Sequence, residues 1–296
     1  MTYSIVAMDR EEGVMGVAVQ SHYFSVGTVV PWVEPGTGVV ATQALVEPSY
    51  GPRGLAAMCA GLHANHALEG LLAADTSPAV RQVSFLDVEG NVHTHTGKEC
   101  IPEAGHRIGH LYSCQANMME RDTVWDAMAE AYEDAEGTLK WRLLAALEAA
   151  EAEGGDIRGK QSAAIIVAHL EPSSKPWHDV PIDLRVEDSP DPIGELGRLL
   201  EMKRAYHYAE HGDLEIEMGN VAEARDAFEQ ARHIAPDNDE FAFWEAIMLA
   251  KAGEEAQAST IFDDLFSRAP QWRELLRRLP RAKLIDDAVV TRLLKQ

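Results

Sequence analysis

A threonine at position 2 and a serine at position 21 are predicted to face each other at the open end of a β-hairpin. Thr2 to Met8 and Val14 to Ser21 are both rich in β-formers, and the polar DREEG between them ends in Gly13, which suits a short loop. With the loop centred on Glu11 and Glu12, paired positions sum to 23. A slip of one residue would change which side chain faces Thr2. Gln20 and His22 flank Ser21, Gln43 closes the ATQ segment of the next strand, and Asn117 follows the QA pair. Two hydroxyls in register can relay a proton, and an amide such as that of Asn117 can donate to an oxyanion. As a set, these polar groups would mark a pocket. The plain alternative is an edge hairpin with polar ends.

Other motifs carry less chemistry. His93 and His95 share one face of a strand, His106 and His110 lie in a strand-like segment, and His63 and His66 are three apart on a helix. Zinc needs three or four converging ligands, so hydrogen-bonded histidines are the better reading and no metal is expected. GGDIRGK lacks the spacing of a phosphate loop. Asp156 and Arg158 are read as shaping a turn, and no G-x-S-x-G occurs. No cofactor is implied.

The elements that must hold the hairpin can be read in order. Gly38 to Val46 is a strand, and residues 52–74 form a helix or a broken pair, with Pro52 at a first helical position. Arg81 to Asp87 and Val92 to Thr96 make a hairpin around VEGN, and Gly105 to Gln115 alternates as one or two strands. Thr123 to Glu153 is helical with a break near Gly137, QSAAIIVAHL is a buried strand, and IDLRVED is a short one. Strands, helices, strands, helices, strands fit two packed sheets with helices outside, an α+β sandwich over residues 1–188.

From residue 189 the chain reads as helical. Gly219, Ala224, Phe228 and Pro236 recur 34 residues later as Gly253, Ala258, Phe262 and Pro270. That period resembles tetratricopeptide repeats. Two repeats are too few to stand alone, so the unit over 189–296 is expected to pack on helices at 191–211 and around 272–295. Such units bind partner proteins or self-associate, so a protein partner or a homo-oligomer is expected here.

Composition narrows the partners. Of 296 residues, 26 are Lys or Arg and 48 are Asp or Glu, a formal charge of −22, which argues against nucleic acid or an anionic membrane as the main partner. There is no apolar run of about 18 residues and no signal-like start, and three cysteines without CxxC spacing read as reduced thiols. A cytoplasmic location is expected.

The motifs GVAVQSHYFSVG, ATQALVEPSYGPRGL, HTG, QANMM, GGDIRGKQSAA and DLRVEDSPDPIGEL, over about residues 2–200, resemble a bacterial family of unknown function in the Ntn-hydrolase superfamily. The strand–EGN–strand hairpin is similar to that of proteasome β-subunits. The resemblance implies a four-layer αββα sandwich. It also implies a small-amide hydrolase in which Thr2, after removal of Met1, is the nucleophile. Its own α-amine would be the base, because a free α-amine has a pKa near 8 and is partly unprotonated at neutral pH. Ser21 and Gln43 would support the reaction, with Gln20, His22 and Asn117 near the substrate. Two departures argue against a proteasome-like peptidase: no Asp stands at position 21, and no Lys precedes Lys98. The competing reading is a non-catalytic scaffold whose helical tail recruits a partner.

Overall fold

A computed structural model describes residues 2–295. The elements run β1 (Thr2–Asp9), β2 (Val14–Ser21), β3 (Pro31–Glu34), β4 (Gly38–Ala44), α1 (Tyr50–Cys59), α2 (Ala64–Ala74), β5 (Arg81–Asp87) and β6 (Val92–Thr96). Then come β7 (Gly105–Gly109), β8 (Tyr112–Asn117), α3 (Val124–Asp134), α4 (Leu139–Ala152), β9 (Ser162–His169) and β10 (Ile182–Val186). Two antiparallel sheets result, one of six strands in the order β10-β9-β2-β1-β8-β7 and one of four in the order β3-β4-β5-β6. The fold is mixed α+β.

The opening hairpin is not at an edge. β1 lies between β2 and β8, and β2 lies between β1 and β9. Both of its faces are covered, which explains why its residues are buried almost without a break instead of alternating. On the inner face, Val6, Met15, Val17 and Val19 of the larger sheet meet Val39, Ala41 and Leu86 of the smaller. On its other face the smaller sheet packs Val40, Val83 and Phe85 against Leu55, Met58 and Leu68 of α1 and α2. Gly54 makes that approach close: a Cβ there would lie 2.3 Å from the Phe85 ring. The helices α3 and α4 pack on the outer face of the larger sheet.

Two local readings need correction. β3 was not foreseen, because its start at Pro31 reads as punctuation; the strand sits at the end of its sheet, where a residue without an N–H is tolerated. The helix pair is broken as one of the two readings had it, but α1 starts at Tyr50, so Pro52 is its third residue. The whole first turn has N–H groups without helical partners, so proline fits there too.

The chain divides into two compact units between Gly197 and Arg198, where the sequence reading drew its boundary at 188/189. The division falls inside a long helix, α5 (Pro192–Met218). The second unit continues with α6 (Val221–Ile234), α7 (Asp239–Lys251), α8 (Glu255–Arg268), α9 (Gln271–Arg278) and α10 (Asp287–Leu293). Ala224, Phe228, Ala258 and Phe262 are all buried in its core. The recurring glycines act through backbone conformation rather than size. Gly219 (φ 84°) and Gly253 (φ 92°) take left-handed conformations just past α5 and α7. The next N–H then bonds back across the turn, Asn220 to the Glu215 carbonyl at 2.8 Å and Glu254 to that of Leu249 at 2.9 Å. Pro236 does not start α7, which begins at Asp239 with the Asn238 side chain accepting from the Glu240 N–H. No helix among the described residues is long and apolar enough to cross a membrane.

Candidate functional site

In the β1–β2 ladder Thr2 pairs with Ser21, as the loop geometry predicts, and on its other side Thr2 pairs with Asn117 of β8. The Thr2 hydroxyl donates to Ser21 Oγ at 3.0 Å, and both residues are buried. Beyond Ser21 the chain is folded back by Ser162, which donates to the Tyr23 carbonyl and accepts from the Val26 N–H at 3.0 Å. Ser25 helps by adopting a left-handed φ of 58°.

Between the sheets, the backbone of Thr2 is held by amides. Its carbonyl accepts from Gln43 Nε2 at 3.1 Å and from Asn117 Nδ2 at 3.3 Å. Both amides also donate to Gln82 Oε1, at 2.7 and 2.9 Å. Gln82 in turn donates to the Ala116 carbonyl at 2.8 Å and to Thr96 Oγ1 at 2.9 Å. Ser4 donates to Gln43 Oε1 at 2.7 Å. Buried amides satisfied in this way are strong positioning devices, because any displacement leaves a polar group without a partner.

A cavity of about 390 Å³ opens over the hydroxyl pair, with Thr2, Ser21 and Gln43 in its lining. One wall is aliphatic, built by Val26, Val29 and Val30 of the segment after β2. Ala44, Leu45 and Val46 also join the lining, at the point where Ala44 takes a left-handed φ of 71° and ends β4. Tyr23, Arg81 and Arg158 complete the lining.

Each arginine is held from behind by a carboxylate. Arg81 Nε donates to Asp75 at 2.8 Å, and those bonds pull the Asp75 carboxyl down to about 2. Arg158 makes a two-pronged contact with Asp156, at 3.1 and 2.8 Å. Burial works to raise the Asp156 carboxyl, but its bonds with Arg158 and with the His22 N–H outweigh this and hold it below its usual range.

Of the residues singled out in the sequence, Thr2, Ser21 and Gln43 therefore meet at the cavity. Asn117 lies next to them but is turned to the Thr2 carbonyl and Gln82, outside the lining. Gln20 is one residue from Ser21 and so faces the other side of the sheet. There it stands opposite Tyr3, whose hydroxyl bonds to Glu151 of α4 at 2.7 Å. Gln20 is fully buried and its amide has no hydrogen-bond partner among the described residues. His22 also lies outside the lining. Gln82, Arg81 and the cavity-lining role of Arg158 were missed by sequence reasoning.

The histidine pairs make ordinary polar contacts. His95 bonds to the Pro78 carbonyl at 2.8 Å, and His106 to Thr96 at 2.8 Å. Among the described residues no three His, Cys, Asp or Glu side chains are grouped to hold a metal ion.

Comparison with known proteins agrees with this architecture. No protein with a curated description matches the chain. Among solved structures, the crystal structure of protein SPO2555 from Silicibacter pomeroyi, assigned to the family model DUF1028, is similar with a TM-score of 0.61 and 32% identity. The match covers 68% of this chain and 88% of that one. Residues 215–282 match a tetratricopeptide repeat model. Residues 2–196 match the model of a family of unknown function, and the chain belongs to that family, DUF1028.

Proposed function

We propose that the N-terminal unit is an Ntn-type amidohydrolase acting on a small amide, with Thr2 as its nucleophile once Met1 has been removed. One observation carries this reading: the Thr2 hydroxyl lies 3.0 Å from that of Ser21, and both residues line a cavity of about 390 Å³. Two facing sheets between helix pairs agree with the αββα sandwich of that superfamily.

In this mechanism Thr2 Oγ1 attacks the amide carbonyl carbon, and its proton passes to the Thr2 α-amine, directly or through Ser21. Collapse breaks the C–N bond, and the amine returns the proton to the leaving nitrogen. Water then attacks the acyl-Thr2 ester, and a carboxylic acid leaves. Gln43 and Asn117 act as positioning residues through the Thr2 carbonyl. A reducing, cytoplasmic setting suits the three free thiols of Cys59, Cys100 and Cys114.

Intact-mass spectrometry of protein from cells, with an amide screen of wild type against Thr2→Ala, tests the proposal. Met1 removal and Thr2-dependent turnover are expected. Retained Met1, or equal activity in the two proteins, overturns it.

A second reading concerns the helical unit, which we assign to self-association. The observation behind it is an exposed basic run, Arg277, Arg278, Arg281 and Lys283, in a chain of net charge −22. An acidic surface on a second copy is its natural complement. Light scattering of the full chain should show a salt-sensitive oligomer that R281E/K283E weakens. A monomer at all concentrations and salts sinks this reading, and leaves the scaffold-plus-partner alternative.

A further inference from the structure

The lining of the Thr2 cavity selects among amides. The chain has 48 acidic residues, yet none lines this cavity, whereas two of its 26 basic residues do. The acids that pair with those arginines lie behind them. The Asp156 side chain is fully buried and that of its partner Arg158 is 35% exposed. Asp75 likewise stays out of the lining that Arg81 joins. Each pair therefore puts its cationic member, and not its acid, in the lining, where Arg81 also donates to the Leu45 carbonyl. The remaining wall, from Val26, Val29, Val30, Leu45 and Val46, is aliphatic and offers a substrate chain no side-chain hydrogen-bond partner.

We infer that the substrates are N-acyl amino acids: an aliphatic acyl chain lies against the valine and leucine walls, the amide carbonyl meets Thr2, and the carboxylate faces Arg158 and Arg81. This inference rests on the amidohydrolase reading for its chemistry, but not for its binding. A guanidinium recognises a carboxylate through charge-assisted hydrogen bonds, which is how such a lining would discriminate. In the reaction the acyl–nitrogen bond breaks, the acyl group passes to Thr2 Oγ1 and then to water, and the free amino acid leaves with the returned proton on its nitrogen.

The test uses full-length Thr2→Ala protein, which keeps a small second residue, and three ligands measured by calorimetry. Octanoylglycine carries both features, octanoylglycinamide lacks the charge, and acetylglycine lacks the chain. Octanoylglycine is expected to bind about ten-fold more tightly than either of the others. Equal binding of octanoylglycine and octanoylglycinamide overturns the carboxylate assignment, and equal binding of octanoylglycine and acetylglycine overturns the acyl assignment. Arg158→Gln should remove most of the charge preference. Because that change also takes the guanidinium from a buried carboxylate, Leu45→Glu at the half-exposed lining is the companion variant. It places an anion in the lining and should lower the same preference. If Thr2→Ala shows the preference but wild type never turns over octanoylglycine, the ligand class stands and the hydrolase reading fails. If wild type cleaves neutral and anionic amides alike, the hydrolase reading stands and the ligand class fails.

Discussion

Thr2 and Ser21 are direct partners across the β1–β2 ladder, with their hydroxyl oxygens 3.0 Å apart. Strand geometry fixes that pairing. Both strands have neighbours on each side and both faces covered, so a one-residue slip would drive Ser21 out of the cavity and Gln20 into it. The pair is thus a product of the whole sheet, and its chemistry can be probed without disturbing the fold.

Ser21→Ala should leave Thr2 in place but remove its hydroxyl partner. With Ser21 relaying the proton, kcat is expected to fall by about 10²-fold or more, with KM changed little. The stability cost should be near 1 kcal/mol, the worth of one hydrogen bond. Steady-state kinetics with denaturant titration measures both. An unchanged kcat removes Ser21 from the mechanism.

The pH profile has a defined sign. The proposed base is the Thr2 α-amine, which works only when unprotonated. Turnover should therefore rise with pH through about 7 to 8, the usual range of an α-amine. A kcat/KM profile that falls over this range is inconsistent with an amine base.

Gln82→Leu removes the oxygen that accepts from both Gln43 and Asn117. It leaves two buried donors short of a partner, so a loss of about 2–3 kcal/mol is expected in urea unfolding. Activity at a fixed folded fraction should also drop, because the same two amides hold the Thr2 carbonyl.

Acid should loosen the Arg81 side of the cavity. The folded Asp75 carboxyl sits at about 2, drawn down by its bond with Arg81, from an ordinary value of 3.8. A carboxyl with a depressed folded value stabilises above the unfolded value, and that contribution is lost as pH falls through the folded one. The loss should run from about pH 4 to 2. In Asp75→Asn that part of the pH dependence should be absent from thermal melts, at the cost of lower stability near neutrality.

The sequence made some of this legible and hid the rest for a physical reason. The hairpin register could be computed because its loop is short and its two strands are adjacent. The break near Gly137 and the 34-residue period were equally local. Gln20 and His22 were grouped with Ser21 because they are next to it in the chain, but along a strand the next residue points the other way. Gln82 and Arg81 escaped notice because their roles come from the second sheet, whose contact with Thr2 no local pattern encodes. Arg158 was read as a turn former and does bond Asp156 two residues away, yet it also lines the cavity. Gly219 and Gly253 were recognised by their spacing alone, and the fold supplies the cause: they close helices by backbone twist.

The interior position of β1 sets an order of events during synthesis. Its partner β8 ends at Asn117, so the first strand cannot be zipped on both sides until well over a hundred residues have left the ribosome. Through that interval one side of β1 lacks its partner strand, and once the sheet closes, Thr2 is only 5% exposed.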